Sequence, residues 1–184
     1  MAAIGDLNEE AWEAFASIWV PATARRKTLL TTVGETEKHL YFVLSGIQRA
    51  FYIHEVTGRE ATLVFTYEGS FSGVADSFLT QHPSRYYLET LTASSFLRAG
   101  YEQLAEVMNT FRSVEQAILR ATSAALEGVL QRQIELQCFS AEEKFRTLLL
   151  RSPHVLNLIP HKYLASYLAI DPTTFSKLLG SVRL

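Results

Sequence analysis

The chain has 184 residues, 48% apolar and 20% charged, which is the balance of a globular protein with a real core and not of a disordered or collagen-like chain. A net charge of −2 and a pI near 6.2 exclude a protein that is basic throughout and coats nucleic acid, while leaving room for a basic module on an acidic body. A lone cysteine, Cys138, excludes an intramolecular disulfide, a cysteine zinc site and an iron–sulfur cluster.

In chain order, the opening MAAIGDLNEEAWEAF lacks the basic start and apolar run of a signal peptide. Residues 6–18 predict an amphipathic helix capped by Asp6 or Asn8, with Trp12, Phe15 and Trp19 as its apolar stripe. From Pro21 to about Leu97 the segments LYFVLSG, IQRAFYIHEV, ATLVFTY and RYYLETLTA are short and rich in Val, Ile, Thr, Tyr and Phe. Gly34, Gly46, Gly58 and Gly69 punctuate them at regular intervals, which predicts an antiparallel jelly roll rather than βαβ units. From about Gly100 the chain becomes helix-forming through Gln137, and residues 140–184 read as short helices broken at Pro153, Pro160 and Pro172. No stretch approaches the roughly 18 uncharged apolar residues of a membrane span, so a cytoplasmic protein without membrane contact is expected. Cys138, at the end of the long helix, is expected to be a small buried hydrophobe.

Charge changes along the same line. Residues 1–139 carry 11 Lys/Arg against 16 Asp/Glu, whereas residues 140–184 carry 6 against 3. The basic end contains IPHKYLASYLAIDPTTFSKLLGSVRL, which splits into two helices around Ala169-Ile170-Asp171. Leu164, Ala165 and Leu168 share one face of the first helix, and Ile170 plugs the corner. Asp171 caps the second helix and Pro172 takes its first position, where the missing N–H costs nothing. Phe175, Leu178, Leu179 and Val182 then face inward at helical spacing. The opposite face carries Thr173, Thr174, Ser176, Lys177 and Ser181 and no acid. Such a face suits a DNA major groove, with Lys162 and His161 placed near the backbone, although an ordinary helical hairpin shares the same apolar pattern.

The run LASYLAIDPTTFSKLL resembles the helix-turn-helix of the CRP/FNR family of bacterial transcription regulators, and KHLYFVLSGIQRAFYIHEVTGREATLVFTYEGSF resembles that family's cyclic-nucleotide-binding β-roll. The resemblance implies an α+β fold: an N-terminal helix, an antiparallel β-roll, a long dimerisation helix and a C-terminal helix-turn-helix. The corresponding units are residues 1–107, 108–139 and 140–184. It also implies a homodimer bound to operator DNA, with RNA polymerase and a small-molecule effector as further partners. The effector pocket would fall on Phe71, Ser72, Gly73, Val74, Ala75, Ser84, Arg85 and Tyr86.

Two departures shape the expectation. The family's ribose-binding Glu falls on Gly73, and the next arginine, Arg85, is displaced and followed by Tyr86 instead of a small hydroxyl residue. Cyclic AMP is therefore not expected as a ligand, and no cofactor is expected. After the second helix only Gly180-Ser181-Val182-Arg183-Leu184 stands where the family places a β-hairpin wing, and the corner has Ala169 where the family commonly has Gly. The long helix predicts a dimer seam through Ile118, Ala121, Ala125 and Val129, with Leu119, Leu126 and Gln133 alongside. His39, His54 and His82 lack the His-x-His spacing of a cupin-like metal enzyme, and no phosphate loop or nucleophile elbow is present, so no enzyme activity is expected. The alternative is a ligand-sensing or protein-interaction roll that does not bind DNA.

Overall fold

A computed structural model describes residues 7–182. Helix α1 (Glu9–Ser17) starts where the Asn8 side chain accepts from the Ala11 N–H at 2.9 Å, with Glu9 and Glu10 in its first turn. Asp6, the other cap open to the sequence, lies outside the described residues. Ala11 and Phe15, one turn apart, define the buried line of α1. Trp12, expected in that stripe, is instead 50% exposed, because one residue along a helix is a 100° turn away from the buried line.

Eight strands follow: β1 (Val20–Ala24), β2 (Leu29–Thr31), β3 (His39–Ser45), β4 (Gln48–Ile53), β5 (Glu60–Thr66), β6 (Phe71–Ser72), β7 (Tyr87–Thr90) and β8 (Ser94–Gly100). They form two antiparallel four-stranded sheets of order β1-β8-β3-β6 and β2-β7-β4-β5, the jelly roll expected from sequence. Tyr41, Val43 and Phe96 fill one part of the interior, and Ala50, Val74 and Leu88 another, with Leu30 touching both. The β3–β4 turn requires Gly46 (φ 93°): a Cβ there would lie 2.6 Å from the Ala93 carbonyl oxygen. Strand β4 is buried from Gln48 to Phe51 without alternation, since Tyr163 covers Arg49, and Arg49 and Tyr87 cover Phe51, on one of its faces.

The helical part begins with α2 (Ala75–Thr80) between β6 and β7, a short element that the sequence pattern does not reveal. The expected continuous helix is two, α3 (Tyr101–Thr110) and α4 (Arg112–Cys138). The break is Phe111, whose extended backbone (φ −118°, ψ 100°) brings its side chain against the cluster of Ala11, Phe15, Phe78, Leu104, Val107 and Val114. The 107/108 boundary expected for the long helix thus falls inside α3.

Four shorter helices complete the chain: α5 (Ala141–Arg151), α6 (Val155–Leu158), α7 (His161–Leu168) and α8 (Pro172–Ser181). They are not an isolated module. Ile47 and Leu91 of the roll share one core with Phe145, Leu149, Ile159, Leu164, Leu168 and Phe175. Cys138 is exposed, not buried: it is the last residue of α4, past the last buried residue, Glu135.

Candidate nucleic-acid interface and effector site

Helices α7 and α8 form the expected corner. The Asp171 side chain accepts from the Thr173 N–H at 2.7 Å, which holds its carboxyl below the usual range, and Pro172 opens α8. Ala169 is left-handed (φ 50°, ψ 43°) and ends α7, a conformation that costs a non-glycine residue about 1–2 kcal/mol. Phe175 is fully buried, and Leu178 and Val182 pack partly against the same core. Leu179, expected inward, is 38% exposed, one residue past the line of Phe175 and Leu178.

On the outer side Thr173, Ser176 and Lys177 are exposed and Thr174 half-buried. His161 and Lys162 are exposed at the start of α7, with the His161 ring 5.4 Å from that of Phe175. The structure therefore brings five of the six expected DNA-facing side chains to the surface of one corner, with Thr174 at its edge.

Helix α7 also grips the roll. Ser166 Oγ accepts from the Thr62 N–H of β5 at 2.9 Å and donates to the Glu60 carbonyl at 3.3 Å. Beside it the buried Arg49 guanidinium stacks 3.7 Å from the Tyr163 ring centroid and pairs with Glu89 and Glu60. Lys27 donates to the Tyr163 hydroxyl at 2.7 Å and pairs with Glu89. Burial alone would raise the Tyr163 phenol, but Lys27, Arg49 and Lys162 bring it below its ordinary value. Arg132 of α4 reaches the Tyr167 carbonyl, and Glu135 takes both Arg132 and Arg151. Apart from Lys162, these junction residues carry no sequence signal, because their partners are up to 136 positions apart.

The expected effector residues lie together at the β6–α2 turn and the approach to β7. Phe71 and Ser72 form β6, Val74 caps α2 and is buried, and Ala75 is exposed. Gly73 has φ 141°, which favours glycine, and a Cβ on it would come within 3.3 Å of the His39 carbonyl oxygen, so a side chain here is strained and crowded. Ser84 spends its hydroxyl on the backbone of Tyr86, and Tyr86 packs against Ala50, Val74 and Leu88. Arg85 is exposed.

A further residue occupies the site. Glu37, 2% exposed, accepts from the Thr31 hydroxyl and from the N–H groups of His39 (3.1 Å) and Val74 (3.4 Å). Burial pushes its carboxyl above the ordinary Glu range against these hydrogen bonds. The nearby Tyr41 phenol is pushed up to about 12, chiefly by burial and secondarily by Glu37. The sequence shows Glu37 as one acid among several in ETEKH, with no pattern to mark it as internal.

Residues 22–111 match the family model of the cyclic nucleotide-binding domain. FixK2 from Bradyrhizobium japonicum superposes with a TM-score of 0.79 at 16% identity, covering 89% of this chain and 83% of that one. The catabolite activator protein of Thermus thermophilus gives 0.62 at 20% identity, covering 100% and 90%. The c-di-GMP-responsive global regulator CLP of Xanthomonas campestris gives 0.67 at 18% identity, covering 94% and 90%. The chain has the CRP/FNR fold. No curated protein matches it by sequence.

Within the CRP/FNR fold, the long helix α4 stands apart. Its two ends are covered: Val114 and Ala117 pack inside, and Arg132 and Glu135 are buried. Between them Leu119, Leu126, Val129, Leu130 and Ile134 are each half exposed or more. Of the expected seam residues, Ala125 and Val129 are exposed, while Ile118 and Ala121 are half-buried. The exposed stripe centres on Leu119, Leu126 and Leu130, which a 100° helical step places on one line.

Proposed function

We propose that this chain is a transcription regulator that binds operator DNA as a homodimer and does not use cyclic AMP as its effector. The observation that carries the reading is the α7–α8 corner, a capped helical pair whose outer side is rich in hydroxyls and carries the exposed cation Lys177, with the acid Asp171 engaged in the helix cap. Thr173, Thr174, Ser176 and Lys177 are the groove-facing residues, with Lys162 and His161 on the backbone. The bare apolar stripe on α4 is the surface that a second copy covers, which supplies the two half-sites of a near-palindrome about 34 Å apart. RNA polymerase is a further partner of such a regulator.

The effector side rests on the turn around Gly73. A nucleotide entering there finds no carboxylate for its sugar, Arg85 outside, and Glu37 already on the Val74 N–H. Each unpaired buried polar group costs about 1–3 kcal/mol, and two such losses weaken binding roughly a hundredfold. CLP, on the same fold, answers to c-di-GMP, so cyclic AMP is not a default for the roll. Selection of bound DNA from a random pool tests the first claim: an enriched near-palindrome is expected, and no enrichment at low salt would favour an interaction or ligand-sensing roll. Calorimetric titration with cyclic AMP tests the second, and a micromolar Kd would overturn it.

A further inference from the structure

Glu37, in the connection between β2 and β3, grips helix α2 at three points. Its carboxyl accepts from the N–H of Val74, the residue that opens α2, at 3.4 Å. Its own N–H donates to Ser77 Oγ at 2.9 Å, and that hydroxyl donates in turn to the His82 carbonyl at 2.6 Å. Its carbonyl accepts from Gln81 Nε2 at 3.5 Å, and the same amide donates to the Phe78 carbonyl at 2.6 Å. Gln81 closes α2 in a left-handed conformation (φ 55°), uncommon for a residue with a side chain. The flanking backbone completes the hold: the Gly34 N–H donates to the Ser84 carbonyl and the Ser84 N–H to the Glu35 carbonyl, each at 2.8 Å.

What Glu37 holds is a joint between two parts of the protein. Val74 is buried with Ala50 and Leu88 inside the roll, whereas Phe78, one turn further, is buried with Leu104 and Val107 of α3 and Val114 of α4. The place of α2 therefore sets the place from which α4 leaves the roll, since close-packed side chains transmit a displacement and do not absorb it. Stability alone does not call for an acid here. Glu37 is met by the Thr31 hydroxyl and two backbone N–H groups and, among the described residues, by no cation. Burying such a group costs free energy that an apolar side chain would not.

We infer that Glu37 is a built-in strap: it fixes α2, and through Phe78 the root of α4, in the DNA-binding arrangement, so that operator binding requires no small-molecule effector. The inference rests on the DNA-binding reading above and names how its roll is regulated. An effector could shift the protein only by binding one arrangement of α2 better than another, and the strap already selects one from within.

The test uses the full chain, dialysed free of small molecules, and the operator selected from the random pool. Wild type should bind that operator with an affinity that cyclic AMP, cyclic GMP and c-di-GMP leave unchanged. A gain of roughly tenfold or more from any of the three would overturn the inference. Glu37→Ala removes the strap, and Glu37→Gln keeps its volume but puts an N–H2 group where one acceptor oxygen stood. Both variants should exchange backbone hydrogens faster than wild type in residues 73–82 and 101–118, read by mass spectrometry. Both should also bind the operator about tenfold more weakly, with melting temperatures that confirm a folded chain. Loss in Glu37→Ala with wild-type behaviour in Glu37→Gln would mark a packing defect and overturn the strap. Wild-type operator affinity in both variants would overturn it as well and leave the regulator reading intact. Failure to select any operator would overturn both.

Discussion

The underside of α7 and the middle of α4 present similar material, aliphatic and aromatic groups at helical spacing, and meet opposite fates. Under α7 the chain covers itself: Tyr163, Leu164 and Leu168 are buried against the roll, with Arg49, Glu89 and Lys27 paired among them. Along α4 the leucines at 119, 126 and 130 stay more than half exposed. Spacing alone therefore says that a helix has an apolar face. Only the tertiary contacts say whether that face is already satisfied.

The largest test of this contrast is Leu126→Asp. If α4 is covered by a second copy, the variant buries an unpaired charge at about 3–5 kcal/mol, and light scattering should show wild-type dimers and variant monomers. A monomeric wild type at micromolar concentration would break the comparison. Leu126 is a cleaner probe than Ile118, which packs against the α1–α3 cluster of its own chain.

At the junction, Arg49→Met leaves Glu89 buried with only Lys27 as a cationic partner. Urea unfolding should register a loss of about 3 kcal/mol, and adding Glu89→Gln should restore part of it. Equal stability of Arg49→Met and wild type would mean that the ionic cluster does not hold the corner to the roll. Smaller again is Ala169→Gly, which relieves the left-handed alanine and is expected to raise stability by about 1 kcal/mol, read as a higher Tm.

The least effect is expected inside the roll, where burial raises the Glu37 pKa. A raised folded-state pKa means that folding favours the protonated acid. Its contribution is complete below the unfolded pKa and is lost as pH climbs through the folded value. The Tm of wild type relative to Glu37→Gln should therefore fall as pH rises from the ordinary Glu range through the raised folded-state value. A difference that is flat in pH would show that folding leaves the Glu37 pKa unshifted.

What the sequence made legible was local. The β-rich middle, the Asp171-Pro172 helix start and the inward Phe175 follow from alternation, capping and spacing, and each is found where those rules place it. Helix α2 escaped because six residues are too few to show a period. The break at Phe111 escaped because it is imposed by packing against α1 and α3, not by a proline or glycine. At the site, Gly73 and Arg85 were visible as departures from a familiar pattern, whereas Glu37 and Arg49 were not. A carboxylate or guanidinium looks the same in a sequence whether it is solvated or shut inside, and the partners that decide the matter come from distant strands and helices.

The Ser166 contact has a consequence for the solubility of the protein. Strand β5 is an edge of its sheet, bonded to β4 on one side, and Ser166 meets the Thr62 N–H that would otherwise be unpaired. An uncovered strand edge is a template on which another chain can add, and β5 also carries the half-exposed Leu63 and Val64. The α7–α8 corner thus acts as a guard over an aggregation-prone border. A variant in which α7 lets go should be found in the insoluble fraction.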